Sequence, residues 1–320
     1  MHQTRRAFLA STAATVAFGQ QPPAPQALPI VDTHQHLWDR TRLNIPWLAD
    51  ASEILRQNYR TEEYREATRG LEVRAVYMEV DVEAGQKTAE VDYVVALGRE
   101  RDNPMVGAVV GGVVAADGFA DYVRRIAAHR PFVKGVRQVL HGSGTPAGFC
   151  LQGAFVRGVR LLGENNLSFD LCIRPTELAD AVRLTEQCPD TRFILDHCGN
   201  ADPKAFRRAE GTERPAHEEA PWRRDIDALA RRTNLICKIS GIVARAPRGW
   251  TAEDLAPIVN HCLDAFGPDR VVFGGDWPVC TLGASYAEWV NALKTIIATR
   301  SEAEQRKLLH DNTVRIYRLS

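Results

Sequence analysis

Eight short apolar runs punctuate the sequence, and the stretches between them carry polar and apolar residues at helical spacing. No other feature restricts the fold as much. The runs are "LPIVDTH", "RAVYMEV", "MVGAVVGGVV", "FVKGVRQVL", "LSFDLCI", "RFILDHC", "LICKIS" and "RVVFGGD". Most are rich in β-branched and aromatic residues on both parities, the pattern of parallel strands buried on two faces. The intervening stretches, such as "FADYVRRIAAH" and "EDLAPIVNHCLDAF", read as amphipathic helices. Strand and helix alternate eight times without a block of either, and the chain has no internal repeat. A single distorted (β/α)8 TIM-type barrel over 30–320 is therefore expected. An open doubly wound sheet fits less well, because the first strand-to-helix turn lacks a glycine-rich dinucleotide fingerprint.

The segment before the first run follows different rules. Arg5 and Arg6 precede Phe8 and Leu9, and small and apolar residues follow to Phe18. This resembles a twin-arginine export signal over 1–19, with Ala17 and Gly19 as the small residues before a cleavage point. Residues 20–29 read as a proline-rich linker. The expected location is periplasmic or secreted. The signal is too short to remain as an anchor, and no later run approaches the ~20 apolar residues of a membrane span.

The 40 basic and 40 acidic residues cancel without blocks of one sign, so nothing points to nucleic acid or an anionic membrane. A small-molecule partner is expected, with no organic cofactor, and oligomeric state is not legible. The seven cysteines form no CxxC pair. Cys172, Cys198, Cys237, Cys262 and Cys280 sit in or beside apolar runs and read as buried hydrophobes, not as a disulfide framework.

In such a barrel the chemistry gathers at the carboxyl ends of the strands. The first run ends in His34 and His36, on one face at period two. The second ends in Glu79, the fourth in Arg137 and Gln138, the fifth in Arg174, the sixth in Asp196 and His197, the seventh in Lys238 and Ser240, the eighth in Asp276. Alternation in "ICKIS" turns Lys238 inward if Cys237 and Ile239 face the helices. In "FILDHC", His197 shares parity with Phe193 and Leu195, so Asp196 is expected to point away from the site.

His34, His36, His197 and Asp276 are the donors that Zn2+ or a similar divalent cation prefers. A metal bound there would acidify water and polarise a carbonyl. Without one, Asp276 could act as general base while the histidines and Arg137 stabilise an oxyanion. Both readings stand on the residues alone. Arg137, Arg174 and Lys238 suit a polarised carbonyl or a carboxylate, and Gln138, His141 and Ser240 suit hydroxyls. Trp38, Trp47 and Trp277 could stack on a sugar face or simply pack. The segment 199–221 is long and highly charged, which suits a lid or a solvated loop, and it carries Arg214 and His217.

Taken in order, "VDTHQHLWD", "VKGVRQVLHG", "FDLCIRP", "ILDHCGNAD", "CKISG" and "VVFGGDWPV" resemble the amidohydrolase superfamily, in its branch of sugar-acid lactonases. The resemblance implies a distorted barrel that hydrolyses a lactone to its hydroxy acid. It puts the first-strand histidines on His34 and His36, the sixth-strand histidine on His197 and the water-activating aspartate on Asp276. Glu79 takes an acidic second-strand position that some members carry. Binuclear members have a carboxylated lysine ending strand four and a histidine ending strand five. Here Lys134 lies three residues before Arg137, and strand five ends in Ile173 and Arg174, so at most one ion is expected. Two rival readings are a zinc-dependent decarboxylase of the same superfamily and an exported sugar-acid-binding barrel without catalysis.

Overall fold

The computed structural model describes residues 28–207 and 213–319. The expected export signal and all of the linker except Leu28 and Pro29 lie outside the described residues. All eight runs form strands: β1 (Ile30–Gln35), β2 (Val73–Met78), β3 (Met105–Gly111), β4 (Val133–Val139), β5 (Ser168–Cys172), β6 (Phe193–Leu195), β7 (Leu235–Ile239) and β8 (Val271–Phe273). They pair in parallel in chain order, each with the next. Helices connect them and form the outer ring, among them Phe119–Ala127, Glu219–Ala230 and Ala252–Phe266. None of the described helices is long and apolar enough to cross a membrane.

The sheet closes where β1 meets β8. Thr33 Oγ1 donates to the Phe273 carbonyl at 2.7 Å, and the His36 amide donates to the Trp277 carbonyl at 2.8 Å. Asp32 clamps the same seam, accepting from the Gly275 amide at 2.7 Å, the His34 amide at 2.8 Å and the Tyr64 hydroxyl at 2.9 Å. Gly275 is required there, since a Cβ would stand 2.3 Å from the Tyr286 ring and 2.5 Å from Asp32 Oδ2.

Strand parity divides the interior into two layers. Phe193, Leu195, Cys237 and Ile239 pack outward with the helices in the main core. Val76, Met78, Val109, Ile194, Ile236 and Val272 face inward and meet Ile316 and Tyr317 from the C-terminal segment. That apolar plug fills the lower barrel, and the charged residues lie above it. The inward position of Lys238 follows as expected from Cys237 and Ile239 facing the helices. In β6 the parity is the reverse of the one expected: Phe193 and Leu195 face the helices, so Asp196 points into the barrel.

Candidate active site

A cavity of about 300 Å3 opens at the carboxyl ends of the strands, lined by His36, Arg137, His141, His197 and Asp276 among others. His34 lies immediately below, fully buried. Its Nε2 is 3.6 Å from Asp276 Oδ1, and His36 Nε2 is 3.5 Å from the same oxygen. The His34 ring centre lies 4.9 Å from that of His36 and 4.4 Å from that of His197. The four residues that sequence reasoning joined across strands one, six and eight thus meet at one point.

Neither His197 nor Asp276 belongs to a strand. β6 stops at Leu195 and β8 at Phe273, and both residues take left-handed backbone conformations, with φ of 54° and 56°. Non-glycine residues hold such conformations only where their surroundings impose them. This is why His197 reaches the cavity although Asp196 also faces inward. Gly241 makes room for it, because a Cβ there would stand 2.2 Å from His197 Nδ1.

Hydrogen bonds orient the imidazoles. His36 Nδ1 lies 3.0 Å from the Met78 carbonyl, which can only accept, so Nδ1 carries a proton and Nε2 is turned toward Asp276. His197 Nδ1 is 2.9 Å from Ser240 Oγ, leaving Nε2 for the cavity. Burial lowers the pKa of His34 and of His197, which favours neutral rings. Burial would raise the pKa of Asp276, but His197 and its fellow imidazoles outweigh it and hold the carboxyl well below its ordinary range. Two imidazoles that burial keeps neutral, His34 and His197, beside the Asp276 carboxylate, with donor atoms within 4.8 Å of one another, fit one divalent cation. A second ion has no bridging ligand in Lys134, whose Nζ donates to the Arg318 carbonyl at the foot of the barrel.

A buried charged layer supports this set. Lys238 Nζ lies 2.8 Å from Asp170 Oδ2 and 2.8 Å from Asp196 Oδ1. Arg137 Nε donates to Glu79 Oε1 at 2.7 Å, and its Nη1 lies 3.4 Å from Asp196 Oδ2 and 3.3 Å from His34 Nε2. Burial opposes the charge on Glu79, yet Lys87 and Arg137 prevail and lower its pKa to about 2.

Several residues expected at the substrate are placed elsewhere. Glu79 has no exposed surface and faces Arg137 and Lys87, so it positions the guanidinium from behind. Lys238 is sealed beneath His34 by its two aspartates. Gln138 has outward parity, and its Oε1 accepts from the Val114 amide at 2.8 Å. Arg174 donates to the Gly142 and Thr145 carbonyls and to Glu177, pinning the loop after β4. Trp38 is fully buried, with its indole N–H on the Gln57 carbonyl, and Trp277 packs on Tyr59 and Tyr64. Trp47 does line the cavity. In the 199–221 segment, His217 accepts from the Asp202 amide and packs on Phe206 and Trp222, so this part is anchored on the barrel; residues 208–212 lie outside the described residues.

The structure adds Asp81, Asn200 and Arg245 to the cavity wall. Arg245 binds both the carbonyl and the side-chain oxygen of Asn200. Its signal was its place in "GIVARAP", just past the seventh run, where barrel loops carry function.

Comparison with known proteins agrees with this architecture. The L-fucono-1,5-lactonase of Burkholderia multivorans is 29% identical over 289 residues, covering 88% of this chain and 93% of the relative. The L-fucono-1,5-lactonase of Burkholderia ambifaria is 23% identical over 261 residues, covering 81% and 83%. A crystal structure of an amidohydrolase from Burkholderia multivorans with bound zinc superposes with a TM-score of 0.77 at 28% identity, covering 91% of this chain and 100% of that one. A family model described as amidohydrolase matches residues 31–319, and the chain belongs to that amidohydrolase family.

Proposed function

We propose that the chain hydrolyses the lactone of a sugar-derived acid, such as a fucono- or rhamnonolactone, with Asp276 as general base. The observation that carries this reading is the position of the Asp276 carboxylate. It lines the cavity, lies within 3.6 Å of two histidine Nε2 atoms, and is held ionised by its neighbours. The similarity to two lactonases supports the substrate class. A cavity of about 300 Å3 suits one small ring.

In this mechanism a water beside Asp276 gives its proton to the carboxylate as its oxygen attacks the lactone carbonyl. Collapse of the tetrahedral adduct breaks the ring C–O bond, and Asp276 returns the proton to the departing ring oxygen. The product is the open hydroxy acid. Arg137, held by Glu79 and Asp196, supplies fixed positive charge near the developing oxyanion. His34, His36, His197 and Asp276 would hold one Zn2+, which supplies a Lewis acid for water and carbonyl alike.

The test is a panel of aldonolactones followed by acid release. Asp276→Asn is expected to lower kcat by about 100-fold or more with an unchanged circular dichroism spectrum. Full activity in that variant removes the aspartate from the mechanism. If no lactone opens while an aromatic carboxylate loses CO2, the reaction is a decarboxylation; if an aldonolactone binds without turnover, the barrel is a binding protein. The twin-arginine reading places the mature protein outside the cytoplasm. Replacing Arg5 and Arg6 by lysine should retain it inside, and unaltered export would refute that route.

A further inference from the structure

Cys198, Cys237 and Cys262 reach one point from three elements. Cys198 sits in the left-handed turn after β6, Cys237 lies on the outward face of β7, and Cys262 lies on the helix Ala252–Phe266. All three are free thiols without exposed surface, and their sulfur atoms lie within 4.8 Å of one another. Three sulfurs bound to one pyramidal trivalent atom at about 2.3 Å would lie about 3.5 Å apart, so the set, already within 4.8 Å, has to contract to close. The neighbours are the apolar layer between sheet and helices. Among the described residues no ion pair involves these sulfurs; outside the trio, Cys198 Sγ has the Lys238 carbonyl at 3.8 Å and the Ser240 backbone amide as partners.

The absence of a counter-charge selects the ligand. Three thiolates around a monovalent ion carry two net negative charges, and around a divalent ion they carry one. Either excess would be buried without compensation, which opposes binding. A trivalent soft centre leaves the site neutral. We propose that Cys198, Cys237 and Cys262 form a buried three-thiol site for such a centre, with arsenite or antimonite as the soluble form.

The exchange balances without an oxidant or reductant. As(OH)3 meets three thiols, three As–O bonds break and three As–S bonds form. Each thiol proton leaves with a hydroxide, giving three waters and arsenic still trivalent. Neutral As(OH)3 can enter through a local opening of the helix against β7. Binding also reaches the active site, because Cys198 follows His197 in the same turn, with φ of 53° and 54°. Drawing the Cys198 sulfur onto arsenic pulls the backbone that presents His197, so the loaded protein should lose turnover.

The experiment uses the reduced mature protein and sodium arsenite. Native mass spectrometry should show one arsenic per chain after desalting, and X-ray absorption should show three sulfur neighbours. Cys262→Ala should weaken binding by about 100-fold or more, because a three-point attachment becomes two-point, with unliganded turnover kept. Cys262→Ser provides a second, hydrogen-bonding replacement should the alanine variant misfold. Cys150→Ala, on a separate buried thiol, should bind as the wild type does. Oxygen neighbours around arsenic, no retained arsenic in the folded wild type, or equal retention by a Cys262 variant would each overturn the proposal. Binding is read without substrate, so its outcome is independent of the lactone reading.

Discussion

Lys238 Nζ lies 2.8 Å from Asp196 Oδ1, and neither side chain has exposed surface. Burial alone would discharge this lysine, but Asp170 and Asp196 keep it protonated. Because its Nζ is also 3.3 Å from His34 Nδ1, the ammonium and Asp196 together set the environment of the first-strand imidazole.

Lys238→Met should therefore destabilise the fold by about 3–5 kcal/mol, since it leaves the buried Asp170 carboxylate without its cation and Asp196 with Arg137 alone. Adding Asp170→Asn should recover part of the loss by removing one of those charges. Thermal melts of the single and double variants decide this; equal melting temperatures for wild type and Lys238→Met would show that the buried pair contributes nothing.

The histidine set should hold one divalent ion per chain. Elemental analysis of the purified protein should give that stoichiometry, and His36→Ala should reduce metal content and turnover together. A chelator should abolish activity and added Zn2+ should restore it. Turnover that survives complete chelation would select the catalysis by Asp276, Arg137 and neutral imidazoles alone.

Gly241 should not tolerate a side chain. It has φ of +69°, and an added Cβ would press on the His197 ring. Gly241→Ala is expected to cost about 1–3 kcal/mol in backbone strain and to lower kcat more than it raises KM, because the imidazole is displaced. Steady-state kinetics beside a melting curve separate the two effects.

Glu90 predicts a pH dependence of stability. Burial, helped by Glu79, raises its pKa from an ordinary 4.5 to about 7. The folded state therefore holds this proton more tightly than the unfolded chain does. The resulting stabilisation is complete below 4.5 and is lost as pH rises through about 7. Glu90→Gln keeps an acceptor for the Val80 amide at 2.8 Å in wild type and removes the titration. Its melting temperature should fall less across that window, and parallel wild-type and variant profiles would reject this origin.

The order of strands and the meeting of His34, His36, His197 and Asp276 were legible because both follow from run spacing and from the end at which barrel loops gather. Finer placement depended on parity, and parity was legible only inside strands. "ICKIS" gave Lys238 its inward direction, whereas "FILDHC" misled, because His197 lies past the end of β6 in a left-handed turn that no alternation rule describes. Gln138 follows the same lesson: one residue after the inward Arg137, it faces the helices. Glu79 and Lys238 were recognised as charged groups near the mouth, but depth along a strand is not written in the run. Both proved to be buried supports.

The seam between β1 and β8 bears on how the site comes into being. Thr33 and Phe273 are 240 positions apart, and Asp32 and Gly275 are 243 apart, among the most distant partners in the chain. Contacts of such separation form late, after the loop between them has been closed by other structure. His34 and His36 leave the ribosome early, yet the carboxylate they face arrives with the last strand. A growing or half-folded chain thus carries the imidazoles without the Asp276 carboxylate, and the set of four is complete only once β8 has docked.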